Sequence, residues 1–128
     1  MSGSFPRVVV TGMGVVSPLG VGIRTHWQRL LDGYCGIVKL NDTAYDPVPC
    51  KIAARVPSNE LDLSSYRQSE LKSMSLATIY SLVASQEALD QSRLGSDFDS
   101  GRVGVSIGNG MSGLTETCEM YDQTKLKG

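Results

Sequence analysis

Residues Gly108-Asn109-Gly110-Met111-Ser112-Gly113 reproduce the G-x-G-x-x-G spacing of a loop that cradles a pyrophosphate. In such a loop the glycines let the backbone close on the phosphates, and the N–H groups of the following helix face the anion. A second stretch, Gly12-Met13-Gly14-Val15-Val16-Ser17, offers two of the three glycines, and Asp32 stands at the spacing of a ribose-binding acid. This earlier stretch fails on geometry. Its third glycine is missing, and Pro18 and Gly20 delay the helix by several residues. The later stretch passes the local test, but no returning strand or acidic partner follows it in the chain. A nucleotide cradle and a tight structural turn therefore both remain open there.

Other chemistry is thinly represented. No G-x-x-x-x-G-K-[ST], H-E-x-x-H, G-x-S-x-G or EF-hand loop occurs. Glu60, Asp62, Glu116 and Glu119 read as solvated surface carboxylates. Cys118 falls near a helix start, where a thiol pKa can drop. No histidine lies near it in sequence, so it reads as an idle or buried thiol. The single histidine, His26, excludes a multi-histidine metal site. Cys35, Cys50 and Cys118 are odd in number and widely spaced, which favours reduced thiols over a disulfide framework.

The elements that must position these residues follow from patterning. Arg7-Val8-Val9-Val10-Thr11 is a continuous β-branched run, the mark of a strand covered on both faces in a mostly parallel sheet. Ile23, Trp27, Leu30 and Leu31 fall on one face of a helix over residues 23–31, with Gly22 at its N-cap and Gly33 just past its end. A proline-containing excursion, with Pro47, Pro49 and Pro57, includes one short strand at about 51–56. A second helix is expected over 69–92, its stripe formed by Leu76, Ile79, Tyr80, Val83 and Glu87. After a polar turn at 97–101, Val103, Val105 and Ile107 alternate with small residues as a strand, and a last helix starts near Leu114. The order strand-helix-loop-helix-strand-helix is that of an α/β fold.

Composition narrows the function classes. The chain has 128 residues, one modest domain, with 41% hydrophobic and 20% charged residues and a net charge of −1. No basic field or aromatic platform points to nucleic acid. No apolar run approaches the ~20 residues that span a bilayer, and six residues before Arg7 are too few for a targeting sequence.

Four ordered motifs carry a resemblance: "RVVVTGMGVVSPLG" at 7–20, "WQRLLDG" at 27–33 followed by Cys35-Gly36-Ile37, "LKSMS" leading into "ASQEALDQS", and "RVGVSIGNGMSGL" at 102–114. Together they resemble the N-terminal region of the β-ketoacyl-[acyl-carrier-protein] synthases, the condensing enzymes of fatty-acid synthesis. "LKSMS" with "VPCKIAARVP" is most similar to the mitochondrial branch, with a bacterial cytoplasmic enzyme as the alternative. The resemblance implies a partial thiolase-like α/β fold, with residues 1–128 forming the first part of the N-terminal half.

It also implies decarboxylative condensation of an acyl group with malonyl carrier protein. The acyl carrier protein would be the partner, the intact family member a homodimer, and no metal or organic cofactor is implied beyond the carrier's phosphopantetheine arm. The family's nucleophilic cysteine and both of its histidines have no counterpart up to Gly128, so no catalytic residue is carried over and this chain alone is expected to be inactive. One substrate-binding position is carried over: Met111, against the acyl chain. On that reading the glycines at 108–113 let packed surfaces approach and hold no phosphate. A non-catalytic binding or dimerisation fragment and a dinucleotide-binding half-domain are the competing readings. Arg93, where the family often has glycine, is a departure that questions the end of the second helix.

Overall fold

A computed structural model describes residues 5–95, 98–110 and 113–127. Helix α1 spans Ile23–Leu31, as the spacing of its apolar residues requires. It opens after Gly22, at φ 91°, and closes on Gly33, at φ 69°, a left-handed position that glycine takes without steric cost. Gly33 N–H donates to Leu30 O at 3.1 Å and Tyr34 N–H to Arg29 O at 2.9 Å, the paired bonds of a Schellman ending.

The second helix differs from the expectation of one element over 69–92. It is split into α2, Gln68–Leu71, and α3, Leu76–Ser92. The cause is local. Ser75 is extended and its Oγ accepts the Thr78 N–H at 3.2 Å, so it caps a fresh helix where the earlier one has ended. α3 ends on Arg93 in the left-handed region, φ 53° and ψ 35°. Arginine thus holds a conformation that glycine takes more readily, at a steric cost of roughly 1–2 kcal/mol. The last helix, α4, spans Leu114–Lys127.

The sheet is where the expectation fails. β1 (Val16–Ser17) pairs antiparallel with β2 (Gly20–Val21), and β3 (Ile37–Lys39) pairs antiparallel with β4 (Ile52–Ala54). β4 is the short strand expected within 51–56. The runs 7–11 and 103–107, both expected as strands and the first as one covered on both faces, form no ladder among the described residues. A strand meant to be covered on both faces gains nothing until neighbours and flanking helices are in place, and here both runs stay open.

The same openness marks the helices. Trp27, Leu30 and Leu31 of α1 are exposed, against the expectation of a buried face, and Ile79 of α3 is the buried hydrophobic residue among those described. Accessible area totals 11006 Å² for a 13.7 kDa chain. A compact monomer of that mass exposes about 6,600 Å².

What does pack is the N-terminal glycine segment against α3. A Cβ built on Gly12 would overlap Ala88 O, and one on Gly14 would overlap Ala84 O. Only glycine permits this approach of two backbones.

Candidate functional site

α3 presents Ala84, Glu87, Ala88 and Gln91 along one stripe, and this stripe receives residues 12–15. Met13 N–H donates to Gln91 Oε1 at 2.6 Å, and Val15 N–H donates to Glu87 Oε2 at 3.1 Å. The other oxygen, Glu87 Oε1, accepts from Ile23 N–H at 2.7 Å. One carboxylate therefore ties the glycine segment and the first turn of α1 to the same helix, at the end where negative charge is favoured. Two of the backbone donors that a phosphate would need in the first glycine stretch, the Met13 and Val15 N–H groups, are already bonded. Asp32, the would-be ribose ligand, is instead the C-cap of α1 and accepts from Gln28 Nε2 at 3.0 Å.

A second clamp holds the β1–β2 turn. Arg29 and Glu60 form a two-pronged ion pair, Nη2 to Oε1 at 2.8 Å and Nη1 to Oε2 at 3.2 Å. Arg29 Nη1 also donates to Leu19 O at 3.0 Å, and Val21 N–H donates to Glu60 Oε2 at 3.3 Å. Glu60 is thus no free surface carboxylate, contrary to its sequence reading.

The hydrogen bond from Arg29 holds the Glu60 carboxyl below the usual carboxylate range, partly opposed by desolvation and aided by the Val21 N–H. A depressed carboxylate stabilises the fold above its unfolded pKa, and that contribution is lost as pH falls through the folded value. Stability of the wild-type chain is therefore expected to decline below the ordinary carboxylate range of about 4 to 5, and Glu60→Gln to flatten this part of the profile. Urea midpoints measured across the acid range check this. An unchanged slope in Glu60→Gln counts against the clamp.

Asp62 is likewise held down, by the Ser64 side chain and then by the Ser64 N–H, which donates to Oδ1 at 3.0 Å. Ser17 Oγ lies 2.7 Å from His26 Nδ1 and also accepts from Leu19 N–H at 3.1 Å, which pins the turn to α1.

The later glycine stretch lies against a different part of α3. Ile107, Gly108 and Asn109 face Ala77, Thr78, Ser81 and Leu82 across a recess of about 260 Å³. A Cβ on Gly108 or Gly110 would meet nothing within 4 Å. The close approach expected of these glycines is therefore absent among the described residues and occurs instead at Gly12 and Gly14. Met111, the expected acyl-pocket residue, lies outside the described residues. Residues 103–107 form no strand ladder, so the strand–turn–helix unit of a dinucleotide site is not assembled either.

The three thiols are exposed and free. Cys35 and Cys50 each sit two residues before a strand of the β3–β4 ribbon. Antiparallel pairing with Ile37 opposite Ala54 puts them at opposite ends, beyond disulfide reach. Among the described residues no group of His, Cys, Asp or Glu is placed to hold a metal ion.

Residues 6–128 match the family model described as "Beta-ketoacyl synthase, N-terminal domain". The chain belongs to the β-ketoacyl synthase family. It is 34% identical to 3-oxoacyl-[acyl-carrier-protein] synthase 2 of Staphylococcus aureus (strain N315) over 115 residues, covering 89% of this chain and 27% of that protein. It is 34% identical to the mitochondrial 3-oxoacyl-[acyl-carrier-protein] synthase of Arabidopsis thaliana, covering 96% of this chain and 30% of that one. It is also 34% identical to 3-oxoacyl-[acyl-carrier-protein] synthase 2 of Coxiella burnetii, covering 95% and 30%. The chain thus spans less than a third of the length of these relatives.

Sequence reasoning missed the positioning role of Glu87 and Gln91. The signal was present: a carboxylate set within an otherwise apolar helical stripe, with an amide four residues on, needs a bonded partner.

Proposed function

We propose that this chain is the N-terminal part of a 3-oxoacyl-[acyl-carrier-protein] synthase with a partial thiolase-like fold. The observation that carries the reading is the family match over residues 6–128, supported by relatives that bear that name. In the whole enzyme an acyl group passes from the carrier's thiol to an active-site thiolate. Loss of carbon dioxide from a malonyl carrier then generates a carbanion, which attacks the acyl thioester carbonyl and expels the thiolate as the carbon–carbon bond forms. The carrier protein is the partner in both half-reactions.

On this reading residues 1–128 supply framework and one wall of the acyl pocket, Met111, and the thiolate and its histidines are not among them. A flexible, polarizable thioether suits a wall that faces an alkyl chain. The mitochondrial assignment rests on the Arabidopsis thaliana relative, and the bacterial relatives support a bacterial enzyme to the same degree. Among the described residues no helix is long and apolar enough to cross a membrane.

The purified chain is expected to release no carbon dioxide from a malonyl thioester in the presence of an acyl primer; release coupled to primer elongation would overturn the reading. In a longer enzyme carrying these residues, Met111→Trp should lower kcat/KM for the longest acyl primers by roughly tenfold or more, leaving short primers little changed. An unaltered product-length profile removes Met111 from the pocket.

A further inference from the structure

We infer that Ser17 and His26 form a proton-operated latch on the β1–β2 turn, in which proton uptake by His26 turns the Ser17 hydroxyl from the imidazole to the Gly20 carbonyl. The inference does not rest on the catalytic reading. It concerns a contact closed within residues 17–26, between that turn and the first turn of α1.

Ser17 Oγ has three neighbours. It lies 2.7 Å from His26 Nδ1, accepts from Leu19 N–H at 3.1 Å, and stands 3.4 Å from Gly20 O. The hydroxyl has one hydrogen to give and two acceptors to choose between. An O–H donor settles at about 2.7–2.8 Å from its acceptor, so the imidazole takes the hydrogen and the Gly20 carbonyl is left at long range. His26 Nδ1 is therefore the acceptor, and the neutral ring carries its own hydrogen on Nε2.

A proton added to this ring goes to Nδ1. Nδ1–H then donates to Ser17 Oγ, and the hydroxyl hydrogen must leave the imidazole. Leu19 N–H and Nδ1–H fill the two lone pairs of Oγ, and Gly20 O is the acceptor within reach. Ser17 and Gly20 are opposed in the β1–β2 register, so closing the 3.4 Å gap draws the turn together. The bond from Leu19 N–H weakens at the same time, because Oγ now shares its electron density with a cationic donor.

The surrounding charges are engaged elsewhere. β1, β2 and the two residues between them hold no titratable side chain. On α1, Arg29 is bonded to Glu60 and to Leu19 O, and Arg24 lines a recess with Met13, Ile23 and Trp27. Glu87 of α3 is bonded to the Val15 and Ile23 N–H groups. Among the described residues Ser17 is the one side chain bonded to the His26 ring, so the proton acts through the hydroxyl. His26 is half-buried and within reach of solvent protons.

Magnetic-resonance titration of the isotope-labelled 128-residue chain between about pH 5 and 8 tests this, and the single histidine is assigned without ambiguity. The neutral ring is expected in its Nε2–H form, with the Leu19 amide and the Gly20 carbonyl carbon shifting at the ring's own midpoint. His26→Asn keeps an amide oxygen near the Nδ1 position and takes up no proton, so both responses should be lost. Ser17→Ala should leave the ring titrating while the Gly20 carbonyl no longer follows it. A neutral ring with its hydrogen on Nδ1 overturns the inference, as do Leu19 and Gly20 signals that ignore the ring's titration in the wild-type chain. Responses that persist undiminished in His26→Asn, or a Gly20 response that survives in Ser17→Ala, also overturn it.

Discussion

Gly14→Ala is expected to detach the N-terminal segment from α3. The added Cβ overlaps Ala84 O, a backbone carbonyl inside a helical hydrogen-bond ladder that has no rotamer with which to yield. Overpacking costs about 1–3 kcal/mol where side chains can shift, and a rigid backbone on both sides puts this case at or above the upper limit. Gly12→Ala meets Ala88 O in the same way. Stability in a chain of this size is a few kcal/mol at most when so little is buried, so either substitution should release residues 12–15 altogether. The readout is amide exchange at Met13 and Val15, which should approach unprotected rates in Gly14→Ala while the interior of α3 retains its protection. Gly108→Ala is the contrast: a Cβ there meets nothing within 4 Å and should leave stability unchanged within about 0.5 kcal/mol. If Gly14→Ala is as mild as Gly108→Ala, the close approach is not what those glycines are for.

Local patterns in the sequence carried the helices and little of the sheet, and the division has a physical cause. α1 was legible to the residue because its bonds are internal and its ends are marked by Gly22 and Gly33. The break between α2 and α3 was hidden inside an apolar periodicity that runs on past it. Ser75 reads equally as a tolerated helical residue or as a cap, and only the captured Thr78 N–H distinguishes them. The runs 7–11 and 103–107 read as strands because their side chains are strand-like. A ladder, however, is a property of two segments and of the layers that cover them. Neither run has a partner among the described residues.

The candidate site divides in the same way. The glycine spacings were visible, but which pair mediates close packing was not, because that depends on what lies opposite. Nothing in "GMGVV" reveals Ala84 and Ala88, which face Gly14 and Gly12 from seventy or more residues away in sequence. Close approach at 108–113, which the family resemblance implied, is not seen at Gly108 or Gly110, where a Cβ would meet nothing within 4 Å.

Glu87→Leu is expected to be the most damaging side-chain substitution on α3, though leucine is the better helix former and extends the apolar stripe. Its cost comes from the donors left behind. Val15 N–H and Ile23 N–H both lose their acceptor in a partly buried setting. An orphaned donor costs about 1–3 kcal/mol, so the pair should cost roughly 2–4 kcal/mol once partial access to water is allowed for. Glu87→Gln keeps one carbonyl oxygen but turns an amide N–H toward the other donor. It should fall between wild type and Glu87→Leu. Gln91→Ala, which frees only Met13 N–H, should cost less than Glu87→Leu. The ordering matters more than any single value. If the stripe works by burying apolar area, Glu87→Leu stabilises the chain; if it works by satisfying backbone donors, Leu is worst and Gln intermediate. Urea unfolding of the three variants ranks them, and amide exchange at Ile23 locates the effect at the start of α1. A Glu87→Leu chain as stable as wild type, with Ile23 still protected, would mean that water rather than the carboxylate satisfies those donors.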